Sequence, residues 1–80
     1  MPETPVDLRL SADEALVLFE LLHRWEDGDF YDQAELEPGE ATALWAVSGA
    51  LEKVLVEPFE SDYETQVARA RQRLHRRGGA

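Results

Sequence analysis

The segment 26–37 carries the residues of this chain that are best suited to recognition chemistry. It combines carboxylates with aromatic rings and contains no basic residue. Carboxylates attract basic partners and speed their association, while aromatic side chains supply the contacts in which interfaces concentrate their affinity. This mixture indicates non-covalent binding of a basic protein surface. The candidate binding residues are Asp27, Asp29, Phe30, Tyr31, Asp32 and Glu35.

The aromatic residues also have a purely structural interpretation. Phe30 and Tyr31 could close over the ends of the neighbouring helices as a minor part of the core. Trp45 poses the same question, because Gly49 lies one helical turn later and would leave either a packed groove or an exposed ring. The sequence leaves open whether these three rings are exposed.

Patterns that could support metal binding or catalysis are incomplete. Glu20 and His23 have the Glu-x-x-His spacing of di-metal helices, which need a second such helix and two more glutamates. A calcium loop beginning at Asp27 would place Pro38 where a bidentate glutamate is required. No nucleophile and base can be paired, since the serines lie at helix caps or inside a helix. We therefore predict no enzyme activity, no catalytic residue, no metal and no cofactor, and keep a di-metal carboxylate protein as a third alternative.

The charges of the chain change sign after Glu64. All 17 acidic residues lie at or before this position, and the net charge is −9. An acidic body repels phosphates, which argues against a nucleic-acid partner. We interpret the basic tail as complementing the dipole of its own helix and the acids of the body. The charged residues of this tail are Arg69, Arg71, Arg73, Arg76 and Arg77.

Length and composition predict a single small domain that spans residues 1–80. A chain of 80 residues has a thin core, and its hydrophobic content of 44% is ordinary for a globular protein. It contains no cysteine, which excludes disulfides and thiolate ligands. We see no signal peptide and no apolar run long enough for a membrane span, so we expect a cytoplasmic protein with no membrane partner.

Start and stop signals predict three helices. The first runs from residue 12 to residue 25 or 26, with Ser11 and Glu14 as a capping box. The second covers 38–55, with Pro38 in its first turn. The third covers 62–77, with Ser61 and Glu64 as a second capping box. Residues 1–5 and 78–80 should be loose ends, and residues 26–37 form an acidic loop.

Hydrophobic patterns predict how these helices pack. The first is apolar over more than half of its circumference, which places it in the centre, whereas the narrow apolar stripe of the third places it outside. Residues 6–10 alternate apolar and polar side chains as a short strand does, without an obvious partner strand in the chain. The face predicted for the second helix comprises Leu44, Val47, Leu51, Val54 and Leu55.

These observations predict an all-α, small three-helix domain with an extended, or β, N-terminal segment. Two functions remain open. The first is an acidic protein-binding module that engages a basic partner, as immunity or antitoxin-type inhibitors do. The second is a homo-oligomeric protein that self-associates through the first helix and the N-terminal segment, with another copy of the chain as its partner.

Overall fold

A computed structural model describes residues 5–78 of the chain. Its helices are α1 (Ala12–Asp27), the short α2 (Phe30–Gln33), α3 (Glu40–Val54) and α4 (Tyr63–Gly78). A 3₁₀ turn at Glu57–Phe59 joins α3 to α4, and the described residues contain no strand. The all-α fold is therefore confirmed. Loose ends were predicted at 1–5 and 78–80. Residues 1–4 and 79–80 lie outside the described residues, Pro5 belongs to no helix or strand, and Gly78 is the last residue of α4 rather than part of a loose end.

The first capping box forms as predicted. The backbone N–H of Ser11 donates to Glu14 Oε1 at 2.8 Å, and Glu14 N–H donates to Ser11 Oγ at 3.1 Å. Two of the backbone donors that a helix start leaves free are thereby satisfied. The helix ends at Asp27, one or two residues beyond the prediction, where the Gly28 backbone N–H still donates to the carbonyl of Arg24.

The predicted start of α3 at Pro38 was wrong. Gly39 takes a left-handed φ of 91°, so Pro38 and Gly39 form a turn and the helix begins at Glu40. Glycine adopts this conformation at little steric cost. The Glu40 carboxylate then accepts a hydrogen bond from the backbone N–H of Glu37 at 2.7 Å, which holds the turn against the first helical residue.

The predicted capping box of α4 was also displaced. The helix begins at Tyr63, because the carbonyl of Asp62 accepts the first helical hydrogen bond, from Gln66 N–H. Asp62 therefore occupies the cap position that the sequence assigned to Ser61. The Asp62 carboxylate also accepts a hydrogen bond from Gln66 Nε2 at 2.7 Å. Pro58, earlier in the chain, lies in the 3₁₀ turn that separates α3 from α4.

The core lies on both sides of α1, which confirms its predicted central position. On one side, Leu16 packs against Val67 and Ala70 of α4. On the other, Phe19 and Leu22 pack against Leu51 of α3. Because each side contributes only a few buried residues, each of them carries a large share of the stability.

Tyr63 joins the two parts of the core. Its ring packs against both clusters, and its hydroxyl donates to Glu20 Oε1 at 2.8 Å. Burial raises the pKa of the Tyr63 hydroxyl, and the hydrogen bond to the Glu20 carboxylate raises it further. The neutral phenol is thus the form that stabilises the fold.

The face predicted for α3 was partly wrong. Ser48 and Leu51 are buried and Leu44 and Leu55 are half-buried, whereas Val47 and Val54 are exposed. The buried residues share one side of the helix at 3.6 residues per turn, and the two valines lie on a neighbouring side. Because α1 covers only one side of α3, the second apolar side is left open.

Ion pairs hold α4 antiparallel to α1. Arg73 Nε and Nη2 donate to the two carboxylate oxygens of Asp13 at 2.7 and 2.8 Å. One turn later, Arg77 Nη2 donates to Glu14 Oε2. The interpretation that the basic tail pairs with the acidic body is confirmed for these two arginines.

Because of these ion pairs, we expect the free energy of unfolding to decrease in acid. The hydrogen bonds from Arg73 lower the pKa of Asp13 below its ordinary 3.8, and those from the Ser11 backbone and Arg77 lower the pKa of Glu14 below 4.5. Carboxyl groups with lowered pKa values stabilise the folded state above their unfolded pKa, and this contribution is lost as the pH falls through the folded pKa.

We therefore expect the difference in melting temperature between pH 7 and roughly pH 3 to be smaller in Asp13→Asn than in the wild type. Asp27→Asn, which lies outside the contact between α1 and α4, is the control and should retain the wild-type difference. Thermal unfolding followed by circular dichroism measures this. An unchanged acid dependence in Asp13→Asn would show that the ion pair contributes nothing.

Candidate functional site

Four aromatic rings form a continuous row where α1, α2 and α3 meet, and we call this row the aromatic ladder. Trp25 at the end of α1 stacks on Phe30, with ring centroids 4.3 Å apart and an interplanar angle of 12°. Phe30 meets Tyr31 edge-on at 6.1 Å, and Tyr31 lies 6.0 Å from Trp45 of α3. The two longer spacings lie within the roughly 4.5–7 Å of favourable aromatic pairs, and Trp25 and Phe30 are in closer, stacked contact. The ladder therefore ties the acidic loop to α1 and α3.

The ladder is half-buried at the Trp25 end and more exposed at the Trp45 end. Trp25 packs against the core cluster that contains Phe19 and Leu22. Trp45, by contrast, is 53% exposed, and Phe30 is 38% exposed. Tyr31 between them is half-buried. The question that the sequence left open thus has a mixed answer, since the rings both cover the helix ends and present aromatic surface to solvent.

The surface beside Trp45 is unobstructed. Gly49 lies one turn after Trp45 on α3, and a Cβ atom added at Gly49 would meet nothing within 4 Å. Trp45 itself is exposed, so part of its side chain is available to a partner.

Acidic residues flank Phe30 and Tyr31 along the chain. Asp27, Asp32 and Glu35 are exposed, and Glu35 has a left-handed φ of 53° where the chain leaves α2. Asp29 precedes α2, and its carboxylate accepts a hydrogen bond from Gln33 Nε2 at 2.8 Å. The acidic loop therefore places all six predicted residues on or beside a single short helix.

The arginines that form ion pairs, Arg73 and Arg77, lie beside the start of α1, whereas the ladder lies at its end. Within residues 5–78, both ion pairs join the start of α1 to the last turns of α4. Asp13 and Asp27 are about 21 Å apart along the axis, at 1.5 Å per residue. The carboxylates around the ladder thus keep their charge available to an external cation.

Two polar atoms of this region have no hydrogen-bond partner among the described residues. They are Glu26 Oε2 and the hydroxyl oxygen of Tyr31, both of which are buried. Burial raises the pKa of the Tyr31 hydroxyl, and the negative charge of Glu26 adds to the rise. Because neither atom is exposed, neither is accessible to a partner in this structure.

Sequence reasoning missed three members of this site. Trp25 and Glu26 were not among the predicted site residues, and Trp45 was left undecided. The available signal was the position of Trp25 directly before the loop and of Trp45 early in the next helix. Their contact with Phe30 and Tyr31 depends on how the loop folds back, which periodicity does not report.

The Glu20 and His23 pair is engaged in packing. Glu20 accepts the hydrogen bond from Tyr63, and the His23 ring lies 4.2 Å from the Phe19 ring. Over residues 5–78, no group of three or more metal-ligating side chains comes together. The pair alone supplies fewer ligands than a carboxylate-bridged di-metal site needs.

Comparison of the chain with known protein families, with curated proteins and with solved structures found no match. In the part of the chain that the structure describes, no helix has the length and apolar character needed to cross a membrane.

Proposed function

We propose that this protein is an acidic binding module that recognises a basic protein segment through the aromatic ladder and the surrounding carboxylates. The observation that carries the proposal is the partly exposed row of aromatic rings set among acids that form no ion pair within the described chain. On this proposal the protein acts in the cytoplasm as an inhibitor or antitoxin-type partner of a basic protein, and it needs neither catalysis nor a cofactor.

Charge supplies the first part of the recognition. The chain carries a net charge of −9, so a basic partner is attracted over a range set by the ionic strength. The exposed carboxylates of the acidic loop, on Asp27, Asp32 and Glu35, then determine where the partner binds. Binding of this kind weakens when salt is added, because the contributing charges are exposed to solvent.

Aromatic contact supplies the second part and selects arginine over lysine. A guanidinium group is planar and weakly hydrated, so it stacks on a ring while it donates hydrogen bonds to carboxylates in the same plane. Trp45 offers an exposed ring for this contact, and Asp32 and Glu35 belong to the same acidic surface.

Fluorescently labelled oligo-arginine and oligo-lysine peptides of equal length test this proposal. We expect the arginine peptide to bind more tightly, and we expect Trp45→Ala to weaken its binding by about tenfold, as the loss of a cation–aromatic contact does. Fluorescence anisotropy at low and high salt measures the dissociation constants. Equal affinities for both peptides together with an unaffected Trp45→Ala variant would rule out the ladder as the binding surface.

A matched pair of charge reversals separates the local site from the net charge. Asp32→Lys lies in the acidic loop, while Glu64→Lys makes the same change of net charge in the exposed first turn of α4. We expect Asp32→Lys to weaken binding several-fold more than Glu64→Lys. If both variants lose affinity equally, overall charge alone attracts the peptide.

A further inference from the structure

An apolar groove lies between the N-terminal segment 6–10 and the open side of α3. Its volume is about 500 Å³, and α3 contributes Val47 and Val54 to its wall. The chain does not fill this groove, since Val6 is 92% exposed and Leu8 76% exposed even though both line it. The remaining lining residues are Asp7, Leu10, Ala46, Ala50 and Leu51.

The backbone beside the groove has free hydrogen-bonding groups. Residues 6–10 form neither helix nor strand, and within residues 5–78 no hydrogen bond involves their backbone. An extended segment of this kind presents alternating donors and acceptors to solvent, which is a template for pairing with another strand.

The residues of this segment are complementary to the same segment in reverse. In an antiparallel pair with a two-fold axis at Leu8, Asp7 lies opposite Arg9 of the second copy, and Arg9 lies opposite its Asp7. Val6 lies opposite Leu10 on the other side of the ribbon, and Leu8 lies opposite itself. Every cross-strand pair is therefore apolar with apolar or acid with base, and such pairs are the ones that stabilise a ribbon.

We propose that two copies of this chain associate through antiparallel pairing of residues 6–10, with the apolar side of the ribbon covering the open side of α3. A ribbon of two short strands is marginal in water, so Val47 and Val54 supply the support that it needs. This surface is separate from the aromatic ladder, because Val47 and Val54 face away from the side of α3 that carries Trp45. Experiments can therefore confirm or reject the dimer independently of the proposed binding of a basic segment.

The sequence suggested self-association through the first helix and the N-terminal segment, whereas the dimer proposed here uses the N-terminal segment and α3. α1 packs against α3 on one side and against α4 on the other, and its apolar residues are buried or half-buried. The exposed apolar residues lie instead on the N-terminal segment and on α3. Those that border the groove are Val6, Leu8, Leu10, Val47 and Val54.

Charge reversal at Asp7 provides the first test. Asp7→Arg places two arginines against two arginines in the dimer, although it reduces the net negative charge that keeps copies apart. We expect the dimer dissociation constant, measured by sedimentation equilibrium, to rise by about tenfold. The double variant Asp7→Arg with Arg9→Asp restores opposite charges and should recover the wild-type constant. Glu64→Arg, with the same change of net charge outside the groove, should not weaken the dimer.

Cysteine cross-linking tests the register, and the natural chain has no cysteine to interfere. Leu8→Cys puts two thiols opposite each other at a Cα separation of about 5 Å, which suits a disulfide. Val6→Cys puts its two copies about 13 Å apart, four residues out of register, and should cross-link far more slowly. Any of three results would overturn the proposal. The wild-type chain could remain monomeric at millimolar concentration, Asp7→Arg could leave the dimer dissociation constant unchanged, or the two cysteine variants could cross-link at equal rates.

Discussion

Leu22→Ala should lose most of the stability of this protein. Leu22 is buried at the centre of the contact between α1 and α3, where Phe19 and Leu51 surround it. Replacing such a leucine removes about 2–5 kcal/mol, through lost burial and the cavity that remains. A chain of this length has a free energy of unfolding on the order of 5 kcal/mol, so the variant should be partly unfolded at room temperature. Urea denaturation followed by helical circular dichroism measures the change.

Phe59→Ala is the control for this prediction. It removes a larger side chain than Leu22→Ala does, but Phe59 is 76% exposed in the 3₁₀ turn before α4. Substitutions at exposed positions usually change the free energy of unfolding by no more than about 0.5 kcal/mol. A loss at Phe59 as large as that at Leu22 would mean that the core is not where the structure places it.

Ala70→Asp should separate α4 from α1. Ala70 is fully buried in the cluster that contains Leu16 and Val67, so an aspartate there has neither space nor a hydrogen-bonding partner. Burying an unpaired charge costs several kcal/mol, which again approaches the whole stability of the domain. We expect helical content to fall and the urea transition to broaden or vanish.

Ala68→Asp isolates the effect of burial from that of helix propensity. Ala68 lies two residues earlier on the exposed side of α4. The same substitution there costs roughly 0.5 kcal/mol, which reflects the poorer helix propensity of aspartate. If Ala68→Asp and Ala70→Asp destabilise the protein equally, α4 does not pack on α1 in solution.

Helix existence and approximate limits could be read from local signals. The Ser11 and Glu14 capping box acts within one turn, and Pro58 interrupts a helix through its own geometry. The errors at the starts of α3 and α4 amount to one or two residues, and they come from equally local choices. Gly39 adopts a left-handed turn, and Asp62 caps α4 in place of Ser61.

The candidate site could be predicted in part. The six predicted residues share one loop, so their proximity follows from the sequence alone. The ladder was not predictable, because Trp25 and Trp45 are distant in the chain and meet Phe30 and Tyr31 only after the loop folds back between α1 and α3.

The helical character of the chain, the central position of α1 and the separation of acidic from basic residues follow from the amino-acid order, since all three depend on nearby residues and composition. Which of the two apolar sides of α3 is buried becomes known only when the helices are packed together. Helical periodicity specifies which residues share a side, and both the side with Leu44 and Leu51 and the side with Val47 and Val54 satisfy it. The choice depends on how α1 approaches, which no local pattern encodes.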